Sequence, residues 1–454
     1  MGVSSGSSRR ELGLWMCVAL VVGNMIGSGV FLLPASLAPF GSASLLGWGF
    51  TTAGSLLLAL TFARLSMMVP RAGGPYAYAH AGFGRFAGFL VGWGYWNSCW
   101  TAVAAIAVAF ASYLGVFWPA ISNDRALGAM VTIATVWALT LVNILGVRKA
   151  GMLQLVTAVL KILPLILIGT AGLLYLRGEH FTPLNPQGGS LFGAVSSSAA
   201  LTLWAFLGFE SATIPAGNVR DPRRTIPRAT IIGTLIAATV YILGTVAVMG
   251  IMPREMLASS TAPFADAARL IWGDWGGWLV GAGAVISCFG ALNGWILVTG
   301  SLPMAMAEEG LFPRIFTRIS RWGTPAHGLV IASTLVTFLV LANFTRGLVG
   351  MFTALILLST LASLFPYVIC SMAQIVLARG RNEQHRFRRD AVIASLGFVY
   401  ALWAIGGSGQ QTVFWGFLFL LAGVPVYVVV TRGGGLNRPD DSLLEPAPAS
   451  EPVG

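Results

Sequence analysis

The sequence predicts an all-α integral membrane protein of twelve spans, and three observations carry that expectation. Of 454 residues, 56% are hydrophobic and 9% charged, where a soluble domain carries about 25% charged residues. Apolar stretches recur along the whole length, and about 20 such residues cross a bilayer as helix. The basic residues also alternate from one connection to the next, as they do when successive loops lie on opposite faces of a membrane. Mean hydropathy is +0.79. The 56 glycines fit the same class, because small residues let membrane helices approach closely.

Taken in order, spans are expected near 12–38, 42–69, 86–117, 127–146, 150–176, 191–218, 229–251, 276–305, 325–343, 348–378, 390–407 and 412–431. Residues 12–63 carry no charge, which leaves room for the first two. The first apolar stretch is too long for a cleavable leader and has no convincing cleavage site, so it stays as span 1. With these spans, 21 of the 27 Lys and Arg residues fall in connections or, for Arg64, the last turns of a span on one side and 5 on the other; the remaining one is Lys161, deep inside span 5. The positive-inside rule then puts both termini in the cytoplasm. The net charge of +11 is therefore a property of loops, and nucleic acid is not an expected partner.

No polar stretch is long enough for a separate soluble domain. Residues 1–11 read as a cytoplasmic N-terminus, 12–431 as one transporter domain and 432–454 as a disordered tail. Two interruptions divide the domain. Gly27-Ser28-Gly29 weakens span 1, and Gly208-Phe209-Glu210-Ser211 weakens span 6, five spans later. In lipid, unwound backbone is tolerated only where it lines a cavity or is buried in protein. Breaks at corresponding places in two halves mark the inverted repeats of secondary transporters. Repeat one is thus 12–176 and repeat two 191–378, with discontinuous helices 1 and 6, and the extra helices 390–431 lie at the periphery. Residue similarity between the halves is weak, so the repeat rests on break position. Packing of Gly27 and Gly29 against a neighbour is the plainer account of the first break alone.

Lys161 and Glu210 are the ionisable residues deep within spans, where a charge must find water, a partner or a substrate. Lys161 lies at least 11 residues from either end of its span, too far for easy snorkelling. It reads as a brace standing in for a bound cation, or as a proton carrier. Glu210 reads either as a partner of a helix end or as a titratable group that couples transport to pH. Asn24 and Ser28 are four apart and share a face at the first break, where freed N–H groups hold a carboxylate. Tyr95, Trp96, Trp204 and Trp295 lie within spans; an indole face attracts a desolvated cation by about 2 kcal/mol. Any one of them could instead simply pack, and Trp48, Trp118, Trp272 and Trp275, near span ends, read as interfacial anchors.

The four cysteines fall within spans and form no CxxC pair, so buried packing is the reading of each. His80, His180, His327 and His385 all fall in connections. No metal-ligand or nucleophile constellation appears, and neither an enzyme nor a cofactor is expected. A channel would show pore-lining polar stripes or charge rings rather than two broken helices.

Several motifs carry a family resemblance over nearly the whole chain, to about residue 430: Gly23-Asn24-Met25-Ile26-Gly27-Ser28-Gly29-Val30-Phe31, Gly73-Gly74-Pro75-Tyr76, Leu203-Trp204-Ala205-Phe206-Leu207-Gly208-Phe209-Glu210, Asp221-Pro222-Arg223-Arg224 and Glu308-Glu309-Gly310-Leu311-Phe312-Pro313. In these the chain resembles the amino acid–polyamine–organocation (APC) superfamily, and within it the basic amino acid/polyamine antiporters, above all its arginine/agmatine exchangers. The resemblance implies the inverted-repeat fold, often as a homodimer. It implies that Ser28, Gly29 and nearby backbone hold the substrate carboxylate, with Asn24 and Leu207 in the same site. Trp204 would close over the substrate and Trp295 would stack on it. Tyr95 and Glu210 would belong to an inner gate, Tyr76 and Glu210 would sense pH, Ser359 would line the guanidinium end and Cys99 would line the site from span 3.

Two positions depart from that pattern. Val103 stands where the exchangers have an asparagine, and Lys161 has no counterpart among them. The function expected is secondary active exchange, in the bacterial inner membrane, of an arginine-like cationic amino acid for its agmatine-like amine by alternating access. The alternative is a proton-coupled or exchange transporter of neutral amino acids that uses Lys161. Membrane lipid and a small amino acid or amine are the expected partners.

Overall fold

A computed structural model describes residues 13–27, 29–69, 74–145, 163–210, 219–379 and 384–431. These residues are helical throughout, with no β-strand among them. The principal helices are α1 (Leu14–Met25), α2 (Gly29–Leu37), α3 (Ala43–Met68), α4 (Pro75–Phe83), α5 (Arg85–Leu114), α6 (Arg125–Ile144), α7 (Leu163–Ala171) and α8 (Leu191–Leu203). They continue with α9 (Pro222–Ile251), α10 (Asp274–Glu308), α11 (Ala326–Asn343), α12 (Gly347–Ala378), α13 (Gln384–Gly407), α14 (Gln410–Leu421) and α15 (Gly423–Val430). Eight stretches are long and apolar enough to cross a membrane, or nine if the bent pair α1/α2 is one span. One of the eight, Ala326–Ala378, consists of α11 and α12 joined by the turn Phe344–Arg346. Shorter apolar helices occupy Pro164–Tyr175 and Leu191–Phe206.

The break expected in span 1 is present. Ile26 takes an extended conformation, α1 ends, and the chain turns by 45° into its continuation. Span 6 unwinds earlier than the sequence suggests. Regular helix stops at Leu203, a single 3₁₀ turn covers Trp204–Phe206, and Leu207 is extended. Gly208 then adopts φ +108°, a conformation that side-chain-bearing residues rarely take. A Cβ on Gly208 would lie 3.2 Å from the backbone C and O of Asn24. The two breaks therefore touch, which sequence position alone does not reveal. Residues 211–218, the rest of the expected span 6, and 150–162, most of span 5, lie outside the described residues.

Two groups of helices surround this contact. In one, α1 packs on α9, and α3 packs on both α8 and α9. In the other, α5 packs on α6 and α10, and α11 closes against all three. Helix α5 is the centre of the molecule, almost wholly buried, and its alanine-rich run Ala102–Ala111 lets neighbours approach closely. Helix α12 lies across α5 and also touches α3 and α4. Helix α13 fills a groove between α3, α8 and α12, whereas α14 and α15 carry mostly exposed apolar side chains, as peripheral helices would.

The connections sort to two ends. At one, Ser42 donates to the Phe181 carbonyl (2.7 Å), the Arg177 N–H to the Gly250 carbonyl (2.9 Å) and the Arg125 guanidinium to the Thr345 carbonyl (2.8 Å). At the other, Arg64 pairs with Asp390 (2.7 Å), and the Thr324 hydroxyl donates to the Ile144 carbonyl (2.9 Å).

Candidate functional site

A pocket lies where the two breaks meet. Its floor and walls come from five elements: Asn24, Met25 and Gly27 at the first break, Trp204, Ala205, Leu207 and Glu210 at the second, and Tyr95, Ser98, Ala102 and Ile106 on α5, with Trp295 on α10 and Ser363 on α12. The α5 residues are spaced three and four apart and so form one face of that helix. Glu210 is the one charged side chain among the described residues that line the cavity.

Glu210 is 1% exposed and well held. Tyr95 Oη donates to its Oε1 at 2.7 Å, and Tyr367 Oη donates to its Oε2 at 3.1 Å. The Gly208 N–H also donates to Oε2, at 3.2 Å, so the carboxylate caps the break that carries it. Buried charge needs such partners. Phe62, Phe209 and Tyr367 stack edge-on or tilted at 5.1–5.6 Å around this clamp, and Tyr78 of α4 adjoins Phe62 at 6.0 Å. An aromatic layer thus closes the cavity on the α4 side. Further along α5, Tyr113 Oη donates to the Phe31 carbonyl (2.8 Å) and accepts from the Phe264 N–H (3.2 Å). Phe31 packs on Tyr113 and Phe264, both at 5.6 Å, so a second layer lies toward the other end.

Behind the α5 face sits a group of three serines. Ser98 Oγ is bonded to Ser363 Oγ and, at 3.2 Å, to Ser359 Oγ; Ser359 Oγ donates to the Ser98 carbonyl at 2.9 Å. Pro366 of α12 has no N–H to give the Ala362 carbonyl, which loosens that helix beside the site.

The structure brings together Asn24, Tyr95, Trp204, Leu207, Glu210 and Trp295, all expected in the site, around one cavity. Gly29 begins α2 just beyond the break. Cys99 is fully buried next to Ser98, and Ser359 reaches the cavity only through Ser98. Tyr76 is remote from the cavity, on α4, where its hydroxyl donates to Glu309 Oε1 at 3.1 Å. Burial pushes that hydroxyl's pKa up, and the Glu309 carboxylate adds to the shift, so Tyr76 stays a neutral donor. Val103 is 1% exposed and does not line the cavity, which Ala102 and Ile106 reach instead. Ser28 and Lys161 lie outside the described residues.

Sequence reasoning missed Ser98, Ser363 and Tyr367. A signal for each was present. Ser98 follows Tyr95 by one helical turn, and Ser359, Ser363 and Tyr367 repeat every four residues along an otherwise apolar helix.

An apolar helical protein with a partly polar cavity at a double helix break has the build of a membrane carrier for small solutes. The chain belongs to the amino acid permease family, a branch of the amino acid–polyamine–organocation superfamily, which residues 12–432 match. It is 34% identical to a putative arginine/ornithine antiporter of Bacillus subtilis, over 93% of this chain and 97% of that protein. It is 33% identical to the cadaverine/lysine antiporter of Escherichia coli K12, over 89% and 91%, and 32% identical to the putrescine transporter PotE of Haemophilus influenzae, over 94% and 99%. These relatives are transporters, and a multi-pass bacterial membrane protein that is not an enzyme is consistent with all of them.

Proposed function

We propose that this protein is a secondary active transporter that exchanges a cationic amino acid for an organic amine by alternating access. The observation that supports this most is the cavity's lining: one carboxylate, Glu210, together with the indoles of Trp204 and Trp295 and no basic side chain among the described residues. A cation gains from both the carboxylate and the ring faces. The carboxylate of an amino acid would sit at the first break, on backbone N–H groups near Asn24, Gly27, Ser28 and Gly29. Trp204 and Trp295 would cover the cargo, and the Tyr95–Glu210–Tyr367 clamp would part for release toward α4, with Tyr76 and Glu309 beyond it. The reading includes twelve spans in a five-plus-five inverted repeat, both termini in the cytoplasm and assembly as a homodimer. Arginine with agmatine is one cargo pair of the required chemistry. The relatives' names add lysine with cadaverine, arginine with ornithine, and putrescine.

The test is counterflow in proteoliposomes. Internal unlabelled cationic amino acid or diamine should accelerate uptake of the labelled counterpart. Acceleration by leucine or serine, with none by any cationic solute, would overturn the proposal in favour of neutral amino acid transport.

A further inference from the structure

The serine group beside the cavity carries acceptor lone pairs. Each serine hydroxyl has one hydrogen and two acceptor lone pairs. Ser359 gives its hydrogen to the Ser98 carbonyl, and in the short Ser98–Ser363 contact either hydroxyl can donate. In either arrangement each of the three oxygens keeps at least one acceptor lone pair. Ser98 and Ser363 line the cavity. This wall therefore offers acceptor oxygens to a cargo. An N–H-bearing cation is complemented by them.

The kind of cation follows from geometry. A guanidinium is a planar fork matched by two coplanar acceptors of a carboxylate or amide. An ammonium is compact, with three rotatable donors that separate, single oxygens can satisfy. The serine oxygens are of the second kind. Along the same face of α5 the cavity continues over Ala102 and Ile106, which accept nothing, and the lining holds just one amide, Asn24, and one carboxylate, Glu210, among the described residues. We infer that Ser98 and Ser363 form the subsite for the distal charge of the cargo and select a primary alkylammonium over a guanidinium. The protein then favours lysine- or ornithine-like substrates and diamines over arginine and agmatine.

This inference rests on the cationic reading above, and the following experiment separates their failures. The full-length protein in proteoliposomes is tested by competition against labelled L-lysine and labelled L-arginine. The competitors are L-lysine, L-ornithine, cadaverine, putrescine, L-arginine and agmatine. The expected result is that one of the ammonium-tipped solutes competes about tenfold better than either guanidinium-tipped one, the scale of a hydrogen bond to a charged group. Ser98→Ala combined with Ser363→Ala should erase most of that gap by weakening the ammonium solutes alone, in protein that stays monodisperse. Better competition by arginine or agmatine in the wild type overturns the inference and leaves cationic exchange standing, and the wild-type comparison needs no variant to fold. Equal loss for both classes in the double variant also overturns it. If no cationic solute competes, both readings fall.

Discussion

Glu210 accepts hydrogen bonds from two tyrosines on different helices and from the backbone of its own break, so its ionisation bears on how three elements are joined. Glu210→Gln keeps the side chain's size but holds it permanently neutral, as protonation would. Transport by the wild type should vary with pH, and the Gln variant should lose that variation on the acid side, which uptake rates measured across a pH series will show. An unaltered profile would leave Glu210 as a structural cap. Trp295 presents its ring to the same cavity. Trp295→Leu should weaken binding of a cationic cargo by about 1–2 kcal/mol through lost cation–π and packing contacts. Calorimetry on folded protein checks this, and unchanged affinity would remove Trp295 from the site. Lys161 lies outside the described residues, and its expected role comes from the cost of a charge at membrane depth. Lys161→Met retains much of the stem and deletes the charge. Transport should fall at every pH if the lysine is a brace, and a wild-type rate would mark it as a tolerated snorkelling residue.

Between residue and fold stand the two interrupted helices. Helix α1 ends because its last residues run into Gly27, and α8 ends because Leu207 is extended and Gly208 takes a positive φ. Gly208 is also where the second break meets Asn24 of the first. Gly208→Ala would combine a disfavoured backbone conformation with a contact at 3.2 Å on backbone atoms that cannot swing aside. The strain should be about 1–3 kcal/mol, seen as a lower melting temperature in detergent together with slower exchange. An equally stable, fully active Ala variant would mean that the two breaks can separate without cost. The α5 and α12 faces act in the complementary way. Tyr95 and Ser98 on one, and Ser359, Ser363 and Tyr367 on the other, are placed by helical spacing, with Pro366 interrupting the hydrogen-bond ladder of α12 beside Tyr367.

At the scale of the molecule, the cavity sits between two aromatic layers, one around Phe62 and Tyr367 and one around Phe31 and Tyr113. The 21-to-5 division of basic residues between connections predicts which layer faces the cytoplasm. Single cysteines at Ser259 and Gln410, both exposed at one end, should react with an impermeant reagent from outside the cell. A cysteine at Asn382 should react only after permeabilisation. The native cysteines are buried and add little background. The reverse pattern would invert the assigned orientation.

Much of this was legible in the sequence for identifiable reasons. Apolar length, the scarcity of charge and the sorting of arginines are one-dimensional consequences of the bilayer, so the membrane class and most span positions follow without any contact being known. The breaks at Gly27 and Gly208, and the depth of Glu210, are legible because lipid makes unwound backbone and buried charge costly wherever they occur. Trp204 and Trp295 were readable as site residues by resemblance alone. What the tertiary structure decided is pairing. That Gly208 abuts Asn24, that Tyr95 and Tyr367, 272 positions apart, clamp one carboxylate, and that Ser98 rather than Val103 faces the cavity depend on the rotation and crossing of helices. Those are set by close packing of side chains distant in sequence, and local propensity and hydropathy contain no record of them.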